Sequence, residues 1–147
     1  SSGAFTTLSS TGSTTFKALV TAGETTTVSA TAATGTINYD VLTQGVLYFT
    51  SNASANWTVN VRGNSGTSLN TLMAVGETRT ITFLVPQGTT AYYQSAFTID
   101  GSSVTPKWQL GVTPSSGNAS SIDVYVFSIL KTASATYTVL ASQTKFA

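Results

Sequence analysis

A chain of 147 residues is long enough to close one hydrophobic core. It carries six Lys or Arg and five Asp or Glu, no His and no Cys, while 29 Thr and 20 Ser place a hydroxyl at a third of all positions. That inventory excludes histidine general-base catalysis, His or Cys metal centres, thiol nucleophiles and disulfides, and a net charge of +1 lacks the basic footprint of a nucleic-acid reader.

The same composition selects a fold class. Thr, Val, Ile, Phe, Tyr and Trp, which favour a pleated surface, number 62, against 24 for Leu, Gln, Lys, Arg, Glu and Met, which favour helix. A disordered Ser/Thr-rich chain would not be 41% hydrophobic and 10% aromatic. No apolar run approaches the ~18 residues of a membrane helix; Val124 to Phe127, as long as any, stops at Ser128. An all-β protein without significant helix and without membrane insertion is expected. The chain opens on Ser1 with no basic and apolar leader, which suits a processed product, a recombinant fragment or a piece of a longer chain.

Residues 1–35 are Ser/Thr-rich and read as an N-terminal segment, either a linker or anchor or a pair of weak strands at Thr14 to Thr21 and Thr25 to Ala30. Residues 36–147 read as the main domain. Gly35 to Leu42 and Gly45 to Thr50 are apolar-aromatic runs split by Thr43-Gln44-Gly45, a tight connection. Ala55 to Arg62 alternates, with Trp57, Val59 and Val61 on one face, which makes Trp57 a core anchor. Thr78 to Val85 repeats that pattern and ends at Pro86. Ala91 to Asp100 closes on the turn dipeptide Asp100-Gly101, and Val104 to Leu110, broken by Pro106, reads as an edge strand. Gly111 to Ser121 has loop composition. Ile122 to Lys131 is apolar on both parities, as in a strand covered on both faces, and Ala135 to Phe146 is a long final strand. About eight to ten short strands joined by Gly and Asn turns predict an antiparallel β-sandwich of jelly-roll or Greek-key type. Gly23-Glu24-Thr25 and Gly76-Glu77-Thr78 both precede strands, a turn solution used twice.

Motifs for chemistry are sparse. The acids Glu24, Asp40, Glu77, Asp100 and Asp123 fall in turns, at strand starts or inside strands, where capping or pairing with Lys and Arg accounts for them better than a glycosidase pair. Phosphate-binding glycine loops are absent, and no catalytic, cofactor or metal residue is assigned. Asn52, Asn56 and Asn118 open N-x-[ST] triplets, which arise by chance in so hydroxyl-rich a chain. Tyr92, Tyr93 and Trp108 lie beside turns and are the candidate contact surface, suited to stacking on sugar rings or to a subunit interface. Long strands with so few charged gatekeepers also invite edge pairing unless permanent neighbours cover them.

Several short motifs carry a resemblance. Ile37-Asn38-Tyr39-Asp40-Val41-Leu42, Asn56-Trp57-Thr58-Val59-Asn60, Ala91-Tyr92-Tyr93, Ile99-Asp100-Gly101-Ser102, Thr105-Pro106-Lys107-Trp108-Gln109, Gly117 to Tyr125 and Val139 to Phe146 together resemble a module of structural virion proteins of marine tailed phages, especially cyanophages. The likeness covers about residues 36–147. It implies a noncatalytic fibre or tail-appendage subunit on the virion, exposed outside the cell. The partners it implies are its own copies in a homotrimer, other virion proteins, and a glycan or protein of the host surface. It implies no ligand for particular residues. A capsid decoration protein or head fibre is the alternative within that setting, and a free carbohydrate-binding module the alternative outside it.

Overall fold

Ten strands, in a computed structural model that describes residues 23–147, divide between two sheets. In chain order they are β1 (Thr26–Ala32), β2 (Gly35–Asp40), β3 (Val46–Ser51), β4 (Trp57–Arg62), β5 (Thr78–Pro86), β6 (Gln94–Ile99), β7 (Ser102–Ser103), β8 (Lys107–Trp108), β9 (Ile122–Ala133) and β10 (Thr136–Phe146). A six-stranded sheet has the order β1-β3-β5-β9-β10-β8, and a four-stranded sheet the order β2-β4-β6-β7. Among the described residues helix is confined to one turn, α1 (Leu69–Leu72), and a 3-10 turn at Gln109–Gly111. The expected strand at Thr14 to Thr21 lies outside the described residues. β1, within the 1–35 segment, pairs with β3 and is the edge of the larger sheet among the described residues.

The antiparallel pairing expected from the sequence is corrected to mixed sheets: five of the eight pairings among the described residues are parallel. The cause is that successive strands from β1 to β6 alternate between sheets, so each sheet receives strands running the same way. Thr43-Gln44-Gly45, expected as a tight connection, is therefore part of a passage between sheets. Jelly rolls and Greek keys are built on antiparallel neighbours; among the described residues only β6–β7 and β9–β10 are joined as hairpins.

Small residues make the passages possible. Ala33, between β1 and β2, and Ala53, between β3 and β4, are buried where a larger side chain would force the sheets apart. Backbone bonds tie these corners together, from Ser54 N to Ala33 O (3.2 Å) and from Ala53 N to Pro86 O (2.9 Å). At the opposite end, Gly63 admits the return loop because a Cβ there would lie 2.7 Å from Thr67 O. That loop carries α1, whose N-terminus is capped by Ser68 and bonded through the amides of Leu69 and Asn70 to the Asp100 carboxylate. The buried Lys131 ammonium donates to Asn70 O and Met73 O at the other end of the turn.

The inward faces meet in one core. Trp57 of β4 is 1% exposed, stacks on Phe83 of β5 at 6.2 Å and meets Tyr125 of β9 edge-on at 5.8 Å. Phe97 of β6 stacks on Phe127 of β9 at 4.7 Å. Each pair bridges the two sheets. Burying an aromatic side chain of this size removes 150–250 Å² from water, worth about 5 kcal/mol before entropy is counted. Tyr39 of β2 is also fully buried; its hydroxyl donates to Gly45 O and Thr82 O, and burial raises its pKa well above the ordinary 10.0.

Candidate functional site

The candidate contact residues occupy loops at one end and a short edge strand. Tyr92 and Tyr93 lie in the passage from β5 to β6, and both are half-buried. The amide of Tyr92 donates to Gln87 Oε1 (2.9 Å), while Gln87 Nε2 donates back to Tyr92 O (2.8 Å) and to the Asp123 carboxylate (3.2 Å). Tyr93 is held through its amide by Asn56 Oδ1 at 3.1 Å, and its carbonyl accepts from Trp57 N. These bonds pin the backbone of the loop, and the Tyr92 ring packs against the core.

Trp108 sits in β8, parallel to β10 at the sheet edge. Its ring meets Tyr125 (6.4 Å) and Phe127 (5.9 Å) edge-on, so its inner side belongs to the core and only its outer side is open. A shallow groove on one flank is lined by Gln94, Ser95, Phe97, Val104 and Thr105, and neither tyrosine reaches it. The structure thus places Tyr92 and Tyr93 together and Trp108 apart from them. Next to Trp108 the chain projects an apolar tip: Leu110 is 92% exposed and Val112 is 68% exposed. Leu110 also holds a left-handed φ of 58°, uncommon for a branched side chain. Its position inside a run that reads as strand concealed this tip from sequence patterning.

Acidic residues serve local structure. Asp40 pairs with Arg62 at 2.6 Å, and this bond raises the guanidinium pKa. Asp100, at φ 51° before Gly101, forms the β6–β7 turn and receives the α1 amides. Glu77 accepts from Ala74 N at 2.9 Å. Asp123 takes the capping role expected of these acids and pairs with no Lys or Arg among the described residues. It is fully buried and accepts from Gln87 Nε2, Asn118 N and Asn118 Nδ2, so it clamps the loop before β9 onto the tyrosine loop. Gly117 permits that approach, since any Cβ would collide with Tyr92 O.

No cluster of three His, Cys, Asp or Glu side chains suited to a metal occurs among the described residues. Two Ser-x-x-Lys spacings exist, Ser128 to Lys131 and Ser142 to Lys145, but both lie on strands, where positions i and i+3 point to opposite faces. The Lys131 ammonium is occupied by backbone carbonyls.

The outward faces of the sheets differ sharply. On the four-stranded sheet, Asn38, Asn60 and Thr98 stand in register and bond to one another across β2, β4 and β6. On the six-stranded sheet the outward row in register is Val28, Tyr48, Leu84, Val124 and Thr144, with Val46, Thr82, Val126 and Ser142 in the row beside it. None of the outward positions of β1, β3, β5, β9 and β10 is charged. β9 is thus covered on its inner face alone among the described residues, where its double-sided apolar pattern predicted cover on both.

No family model, curated protein or solved structure matches the chain.

Proposed function

We propose that this chain is a noncatalytic structural subunit of a phage virion, a β-sandwich working as part of a trimeric fibre or tail appendage that touches the host surface. The observation that carries the reading is the uncharged outward face of the six-stranded sheet, a surface suited to permanent neighbours in an assembly. The phage-like motifs over residues 36–147 supply the setting. Host contact falls to Tyr92 and Tyr93 on their pinned loop and to Trp108 with the exposed Leu110 and Val112 beside it. Adsorption then works by multivalency: weak apolar and aromatic contacts on each copy become strong when several engage together.

Locating the protein on intact particles by immunogold electron microscopy tests this directly. Label on fibres or tail appendages is the expected result, and label over the capsid shell would replace the reading with a decoration protein. Excess purified protein should compete with phage adsorption to host cells. Absence of competition would remove the host-contact role, and binding to free glycans without any label on particles would favour a carbohydrate-binding module.

A further inference from the structure

The six-stranded sheet carries its own evidence of what covers it. Edge strand β1 turns its hydroxyl residues Thr27 and Ser29 inward, opposite Leu47 and Phe49, and puts Val28, its one large apolar side chain, outside at 62% exposure. Leu140 and Phe146 of β10 are likewise outward, at 55% and 56% exposure. A chain that merely lacked polar residues would not invert an edge strand this way. The same chain writes a conventional wet face on its other sheet, with Asn38, Asp40, Asn60 and Arg62 outward. The uncharged face, half hydroxyl and half apolar, is therefore a specific property of one sheet.

We infer that the outward face of the six-stranded sheet is the surface through which copies of this chain pack against each other, sheet against sheet. The inference rests on the reading of the protein as an assembly of its own copies, and it names the surface. A second copy is the occupant that the charge distribution favours. An uncharged face offers no handle for selecting a charged partner, meets no like-charge repulsion against itself, and is dehydrated without stranding an ion. Lys107, on β8 at the margin, is the one charged strand residue turned the same way among the described residues, and there it is exposed to solvent. The dimensions agree. Five strands at ~4.8 Å spacing and about eight residues at ~3.3 Å rise give roughly 600 Å² per copy. Two facing copies would bury ~1,200 Å², the lower limit of a stable specific interface.

The test is the mass of the purified chain by light scattering at micromolar concentration, beside Val126→Lys at the centre of the face and Val28→Lys at its exposed edge. The wild-type chain should be an oligomer, and Val126→Lys should weaken association by about 100-fold or more, because the new ammonium would be buried unpaired. Circular dichroism checks that each variant folds. Should Val126→Lys unfold, Val28→Lys, whose side chain touches no core, carries the test. A wild-type oligomer that survives both substitutions would overturn this surface and leave the assembly reading standing. A wild-type monomer would overturn both, whether residues 1–22 of the same chain or a different protein then cover the face.

Discussion

The two outward faces are written from one hydroxyl-rich vocabulary and do different things with it. On the four-stranded sheet, Asn60 donates to Asn38 and accepts from Thr98 and from Gly101 N, so the side chains bond one another as well as water. On the six-stranded sheet, Thr82 lies between Val46 and Val126, and Leu84 lies between Tyr48 and Val124. There Thr supplies β-propensity and a methyl group in an apolar surface. A high Thr content therefore describes neither a wet nor a dry face until the register is known. The difference also separates two tasks: one sheet finishes the fold toward solvent, and the other waits for a neighbour.

The largest effect should come from the core that both faces share. Trp57→Ala is expected to cost about 3–5 kcal/mol in urea unfolding. Trp57→Phe should cost well under half of that, since it keeps most of the ring contact and removes an indole N–H that has no partner. A large loss in both would show that the indole shape itself holds the sheets apart. Next comes the contrast between faces. Thr58→Lys, outward on β4, should leave both unfolding and oligomer mass unchanged, where Val126→Lys breaks the oligomer; equal behaviour would erase the distinction. Asn60→Ala should lower fold stability by about 1–2 kcal/mol without altering association, because it opens three hydrogen bonds on the wet side.

High pH should not distinguish the sheets. Burial raises the phenols of Tyr39, under the smaller sheet, and Tyr125, under the larger, above their ordinary 10.0. The folded state then holds these protons more tightly than the unfolded chain. Their contribution is complete below pH 10.0 and falls as pH rises beyond it, which a thermal-unfolding series across that range would reveal as a falling Tm. The smallest effect belongs to Arg62→Ala. Its pairing with Asp40 is open to solvent, so the unfolding midpoint should scarcely move.

Strand positions were legible in the sequence to within a few residues. Trp57 to Arg62 announces itself through period-2 alternation, and Ile122 onward through an apolar run that follows a loop rich in Pro, Gly and Asn. Asp100-Gly101 marked its turn correctly as well. The α1 return loop was not legible, because Leu69 to Leu72 is too short for a helical period, and its locks, Asp100 and Lys131, are 31 and 61 residues distant from their partners Leu69 and Asn70. Of the candidate contact residues, Tyr92 and Tyr93 proved neighbours on one pinned loop. The Asp123 clamp that pins it depends on a Gln and an Asn whose types are ordinary in loops.

What sequence alone determined is local: which stretches extend, which parity of each is apolar, and which chemistries the missing His and Cys exclude. Alternation needs only the pleat, so it survives without knowledge of neighbours. Tertiary structure decided which strands pair, in which direction, and which face of each sheet is left open. Parallel pairing follows from buried corners at Ala33 and Ala53 that send the chain across the core after each strand, a long-range packing choice that no strand pattern encodes. The double-sided apolar pattern of β9 said that two faces would be covered; only the fold showed that this chain's described residues cover one of them.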